Sequence, residues 1–278
     1  MSAQFLDIVT TAAIFYVVAA GLLIIFGVMK IINFAHGGFL TIGGYAALIV
    51  TQLGLDPWLA LPFAALVGLV IGALVERFVV RPLYARPLDA ILATWGLGII
   101  IGQLITIGFG REVQFVQSPV QGAALVLGES YSQYRLLLVL GALLLAALLA
   151  AVLHGTRLGL MTRAVIMNES LARGLGINSG LVRFATFSLG SALASLAGAL
   201  ITPLSSVDPN MGVPWLVNAF MLVLVSGASL VSLGVATLVL GGAQVLISAY
   251  GSPILGSLTI VVLAAVILRI RPQGFARE

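Results

Sequence analysis

Charge is scarce in this chain of 278 residues: only 8% are Asp, Glu, Lys or Arg, and 61% are hydrophobic. Soluble domains carry roughly a quarter charged residues, so too little polar surface exists here to clothe a water-facing fold. Cysteine is absent, which excludes a disulfide framework, thiolate metal ligation and a cysteine nucleophile. Only two histidines occur, His36 and His154 on unrelated segments, which argues against a histidine-rich metal site and leaves no Ser/His, paired-Asp or metal constellation for an intramembrane enzyme. Acidic residues are sparse and mostly at segment ends, whereas a stand-alone secondary transporter or channel commonly carries intramembrane carboxylates. No G-x-x-x-x-G-K-[ST] phosphate loop is present, so ATP chemistry is not expected in this chain.

What the chain does have is long apolar runs. About 20 apolar residues cross the roughly 30 Å hydrocarbon core as a helix. By that measure spans are expected at Ile8–Val28, Phe34–Leu53, Pro57–Val79, Asp89–Phe109, Leu136–Leu153, Phe184–Ile201, Trp215–Leu230, Leu233–Tyr250 and Ile254–Leu268. The fold class is therefore all-α: a polytopic transmembrane bundle of eight or nine spans, some of them broken or re-entrant where Gly, Ser and Pro interrupt, forming a single domain over residues 1–278. The first run follows Asp7 without a basic region or cleavage site and reads as a retained span. Glu76 and Arg77 stand at the end of the third span, where long side chains can snorkel.

Positive charge orients the bundle. With the N-terminus outside, Lys30, Arg77, Arg81, Arg86, Arg157, Arg163, Arg173, Arg183, Arg269, Arg271 and Arg277 face the cytoplasm, and only Arg111 and Arg135 lie outside, a strong positive-inside asymmetry. This supports an odd number of crossings; an even count with one re-entrant segment stays open. Small residues fill the spans, and Gly68 and Gly72 form a GxxxG spacing that lets helix backbones approach closely.

Polar groups in hydrocarbon usually face the bundle interior or a water-filled path. Candidates for a path or gate are Asn33, His36, Gly37, Gly38, Thr41 and Tyr45 in the second span, Trp95 in the fourth and Asn218 in the seventh, with Thr94, Gln103 and Gln244 as further polar positions. Asn33 and His36 share a face if their helix is continuous. A break at Gly37-Gly38 would expose backbone donors; a helix cap or an interhelical hydrogen bond explains the pair about as well.

The longest basic stretch runs over residues 154–182. Met161–Arg173 has helical composition, with Gly174 and Gly176 as a stop. Read bare, it is a short amphipathic helix lying on the membrane surface. The segment Asn168-Glu169-Ser170-Leu171-Ala172-Arg173-Gly174-Leu-Gly176-Ile177, continued by Arg183-Phe-Ala-Thr-Phe-Ser-Leu-Gly190, is similar to the cytoplasmic loop of ABC importer permeases of the branched-chain amino acid family. Phe26-Gly27-Val-Met-Lys30-Ile-Ile-Asn33-Phe34-Ala35-His36-Gly37 closely resembles that family's FGVxxxINFAHG signature, and Arg271-Pro272-Gln273-Gly274 its closing Arg-Pro-x-Gly. Val207-Asp208-Pro209-Asn210-Met211-Gly212 also resembles the related urea and short-chain amide permeases.

The resemblance implies a non-catalytic translocation subunit in a bacterial plasma (inner) membrane, importing branched-chain or other hydrophobic amino acids, with urea or short amides as the alternative. It implies a second related permease or a second copy of this chain, two cytoplasmic ATPase subunits, an external substrate-binding protein and no nucleic acid. ATP and Mg would sit on the ATPase partners and no cofactor on this chain. Residues Asn168 to Gly174 would couple to the ATPase, turning nucleotide-driven closure into helix movement.

Overall fold

The computed structural model describes residues 2–275; Arg277, counted above among the cytoplasmic charges, lies outside them. Helices form wherever the apolar runs lie, because a backbone in lipid must satisfy its own hydrogen bonds. They are α1 (Ser2–Met29), α2 (His36–Gln52), α3 (Ala60–Val75), α4 (Pro87–Phe109), α5 (Gln133–Gly155), the short α6 (Arg157–Met167) and α7 (Glu169–Gly174), then α8 (Ser179–Ile201), α9 (Gly212–Ser226), α10 (Leu230–Tyr250) and α11 (Pro253–Ile270). Among the described residues, seven segments are long and apolar enough to cross a membrane; α2, with 17 residues, and α9, with 15, are shorter.

The expected positions hold, and several boundaries shift for identifiable reasons. The seventh segment is Gly212–Ser226 rather than Trp215–Leu230, because Gly227 adopts φ +63° and stops it. Only a residue without Cβ takes that conformation freely. The Ser229 side chain then caps α10 by accepting from Ser232 N–H. The expected loop helix over Met161–Arg173 divides in two at Asn168, whose extended backbone (φ −157°, ψ 101°) ends α6 while its side chain caps α7. A small antiparallel hairpin, Ala123–Val126 with Glu129–Ser132, adds strand to the all-α expectation. Its turn places both Leu127 and Gly128 at positive φ, the I′ pattern usually signalled by Asn-Gly; Leu-Gly hides it.

The second segment departs most. α2 begins at His36, not Phe34, and it begins inside the bundle: the His36 ring nitrogen Nε2 lies 2.9 Å from the Val18 carbonyl of α1. Val18 is eleven residues before the end of α1, about 16 Å at 1.5 Å per residue. Residues 30–35 are therefore non-helical backbone running back into the protein, entered through Lys30 at φ 56° with Ile31, Asn33 and Ala35 buried. Irregular backbone at membrane depth survives only where protein surrounds it.

Helix α8 is the centre of the packing, and small residues let it be. Gly21 of α1 abuts the Gly190 backbone, Gly43 of α2 abuts that of Ser195, and Gly198 fits against the Leu40 carbonyl. Gly68 and Gly72, the GxxxG pair of α3, receive Ser191 and Ser195, and Ser195 Oγ donates to the Phe39 carbonyl at 2.9 Å. Such contacts replace the hydrophobic drive that lipid removes. Gly198→Val is expected to destabilise by at least about 3 kcal/mol because backbone cannot yield. Gly141→Ala, at a position with open space around it, should gain up to about 1 kcal/mol from helix propensity. Thermal unfolding of the two purified variants in detergent checks both.

Candidate functional site

Ten of the twelve described basic residues gather at one end of the bundle and Arg111 and Arg135 at the other. At the basic end α6 and α7 are anchored by buried Val165 and Ala172 and turn Leu160, Met167, Leu171 and Leu175 outward; Met167 is 86% and Leu175 74% exposed. Thr156 caps α6 by accepting from Gly159 N–H at 3.1 Å. Asn168 Oδ1 accepts from Leu171 N–H at 3.0 Å and from Ser170 Oγ at 2.7 Å, so two of the predicted loop residues build the cap of α7 itself. Arg173 and Gly174 are exposed.

Glu169 points back toward the membrane helices. It forms an ion pair with Arg183 near the start of α8. The Arg183 guanidinium lies 4.5 Å over the Tyr84 ring, a cation–π stack. Tyr84 in turn donates its hydroxyl to Glu76, in a π-turn, Glu76–Val80, that extends α3. Burial, and then the Glu76 carboxylate, hold the Tyr84 phenol well above its ordinary pKa. Glu76 does not snorkel as its place at a span end suggested: it is fully buried, because the π-turn carries it inward beneath Tyr84. Four side chains thus tie the short loop helix to α8 and α3. Of these only Glu169 was expected from sequence to couple; Glu76 was read as a span-end acid and Arg183 as a cytoplasmic charge, and Tyr84 and Arg183 become neighbours of Glu76 only through the fold.

The second cluster is the buried start of α2. Asn33 lies before the helix, so it and His36 do not share a continuous helical face. The Asn33 Oδ1 accepts from Ala35 N–H at 3.1 Å, and Phe34 N–H donates to Thr94 Oγ1 of α4 at 3.3 Å. Gly37 and Gly38 fall in the first turn and do not break the helix. Gly37 packs on the backbone of Gly212, so the first turns of α2 and α9 lie side by side. Thr41 joins them: its hydroxyl donates to the Gly37 carbonyl at 3.1 Å and accepts from Gly212 N–H at 3.2 Å. Tyr45 is buried further along α2, its ring 4.8 Å from that of Phe109. Asn218 is half-buried on α9. Trp95, by contrast, is 57% exposed on the outer face of α4. Gln103 is exposed, and Gln244 Oε1 is buried without a partner among the described residues.

Beyond the start of α9, toward the end opposite the basic one, a cleft of about 610 Å³ is lined by Ser205, Ser206, Asp208, Asn210, Met211, Val213, Pro214 and Trp215. No group of His, Cys, Asp and Glu suited to a metal ion occurs among the described residues.

Comparison with known proteins agrees with this architecture. The family described as branched-chain amino acid transport system, permease component, matches residues 4–270. The high-affinity branched-chain amino acid transport system permease protein LivH of Salmonella typhimurium is 26% identical over 98% of this chain and 94% of its own length. The probable branched-chain amino acid transport permease protein LivH of Methanocaldococcus jannaschii is 29% identical over 75% of this chain and 69% of its own. The ribose import permease protein RbsC of Escherichia coli is 27% identical over 72% and 61%. Among solved structures, PsaBC from Streptococcus pneumoniae in complex with Fab superposes with a TM-score of 0.51 over 96% of this chain and 91% of that one, at 16% identity, a likeness of fold alone.

The Tyr84–Glu76 pair can be tested directly. Tyr84→Phe leaves a buried carboxylate without its donor and should cost about 1–3 kcal/mol, whereas Tyr84→Phe with Glu76→Leu, which removes both partners, should recover most of that loss. Thermal unfolding of the single and double variants measures it.

Proposed function

This chain belongs to the family of branched-chain amino acid transport system permease components, and we propose that it is the membrane-spanning subunit of an ATP-driven importer for branched-chain or other hydrophobic amino acids. The observation that carries the reading is the loop of α6 and α7. A short helix pair on the basic end presents Met167, Leu171 and Leu175 outward while its inner side is tied by Glu169 and Arg183 to the helices. An exposed apolar ridge on a charged membrane face fits a groove on a soluble partner. The ion pair and the Tyr84 stack give that partner a mechanical hold on α8 and α3.

In this reading the basic end faces the cytoplasm, in a bacterial inner membrane, and two ATPase subunits bind there with their ATP and Mg. Closure of the ATPase pair moves α6 and α7 as a body, and α8, packed on α1, α2 and α3, carries the motion into the bundle. A second related permease or a second copy of this chain completes the pathway. An external binding protein delivers substrate to the opposite end, where the cleft beside Asp208 and Asn210 lies. Asn33, His36, Gly37, Gly38, Thr41, Tyr45, Trp95 and Asn218 remain the residues proposed for the path or gate. Relatives named for branched-chain amino acid transport over nearly their whole length favour amino acids over urea or short amides.

Co-purification with candidate ATPase subunits and reconstitution into proteoliposomes test the reading. Glu169→Ala and Arg173→Ala are expected to lower amino-acid uptake about tenfold, roughly 1.4 kcal/mol of lost coupling, while ATP turnover continues. Uptake that persists without any ATPase would overturn it. The substrate follows from the ligand that the cognate binding protein retains.

A further inference from the structure

Helices α6, α7, α8, α10 and α11 each start with a side chain that accepts from a first-turn N–H, from Thr156, Asn168, Asn178, Ser229 and Ser252. α2 does not. Its cap residue is Ala35, which offers no side-chain acceptor, and the N–H groups of Gly37 and Gly38 meet no backbone or side-chain acceptor among the described residues. A buried helix end without partners is unusual.

Two deeply buried side chains at the same point each keep one polar atom unpartnered. Asn33 is 2% exposed and His36 fully buried, yet Asn33 Nδ2 and His36 Nδ1 have no hydrogen-bond partner among the described residues. The Asn33 carboxamide is fixed at the helix start by its bond to Ala35 N–H. His36 Nε2 faces a carbonyl, Val18, and must therefore donate; its Nδ1 is left as a bare lone pair. Donors and an acceptor are thus gathered within six residues, at a helix N-terminus whose dipole favours negative charge, with the N-terminus of α9 beside it. Phe34, between Asn33 and Ala35, pairs with Phe220 of α9 at 6.4 Å, an apolar wall at the same level.

We propose that the start of α2 is a transit site for the zwitterionic backbone of an amino acid, deepening the importer reading on which it rests. Gly37 N–H, Gly38 N–H and Asn33 Nδ2 donate to the substrate carboxylate. His36 Nδ1 accepts from its ammonium, and the apolar side chain lies toward Phe34 and Phe220. The site carries no fixed charge, so it holds the zwitterion through dipoles and releases it readily. In this conformation Gly37 is pressed on Gly212, so parting of α2 from α9 opens the site.

The test uses this chain, alone labelled with 15N-histidine, assembled with its unlabelled partner subunits in nanodiscs. Only His36 and His154 report, and they are distinguishable because His154 is exposed and bonds through Nδ1 to Ala150. Leucine is expected to shift the His36 Nδ1 resonance, and 4-methylvalerate, which lacks the ammonium, is not. Asn33→Asp keeps the acceptor for Ala35 N–H and suits a helix start, but places a carboxylate against that of the substrate. It should abolish the leucine shift and lower leucine uptake by about tenfold or more. A His36 signal unmoved by saturating leucine means that the orphan groups hold structural water only and overturns the proposal, as does wild-type uptake by the Asn33→Asp variant. A clear shift without ATP-driven uptake by the wild-type assembly would instead remove the importer reading and leave the site.

Discussion

Every backbone N–H and C=O inside a bilayer must find its partner within protein, since hydrocarbon supplies none. Most of this chain meets the constraint with helices. At two places it does not: residues 30–35 turn back into the bundle, and α9 starts only after the irregular stretch that follows Leu204. Residues 30–35 are enclosed by α1, α4 and α8, and both departures are supported by side chains that reach across: His36 to Val18, Thr94 to Phe34, Thr41 to Gly212. The close approach of Gly37 and Gly212 depends on those supports. Hydrogen bonding is incomplete at the buried start of α2, and an unmet donor or acceptor there costs roughly 1–3 kcal/mol, a cost that a structure tolerates most readily where the groups have another use.

The two candidate regions share one mechanical element. α8 carries Arg183 at its basic end, in contact with Glu169 of the loop and with Tyr84. Its middle and far end hold α2 through Ser195, Gly198 and Leu40. Backbone-to-backbone contacts do not stretch, so a displacement of the α8 start moves the α2 core as well. On the proposed reading this is the physical link from a partner's closure to the pathway.

Much of the architecture was legible from apolar run length, and the basic end from the placement of arginines. The GxxxG of Gly68 and Gly72 was visible as a close-packing signal; its partners Ser191 and Ser195 were not, because nothing local marks which helix arrives. The start of α2 was misplaced because Phe34 and Ala35 are as apolar as the residues that follow, and the break is imposed by Val18 and Thr94 from elsewhere in the chain. The loop helix was visible as a unit, but the competition of the Asn168 side chain for the α7 N–H groups decided where it divides. Glu76 was read as an interfacial acid; its burial depends on Tyr84 and Arg183, the latter more than a hundred residues away.

The brevity of α9 has an electrical consequence. Fifteen residues span about 22 Å, short of the roughly 30 Å hydrocarbon core, and the cleft beside Asp208 and Asn210 opens at its start. With the cleft filled by solution, the dry septum there is thinner than the surrounding bilayer, and the membrane potential falls across that septum alone. The local field is steeper than in the lipid alongside. A species with no net charge crosses it without electrical work, whereas each unit charge would gain or lose about 2.3 kcal/mol per 100 mV. That work is fixed by the potential and not by the thickness of the septum; what the short helix changes is the distance over which a charge would meet it.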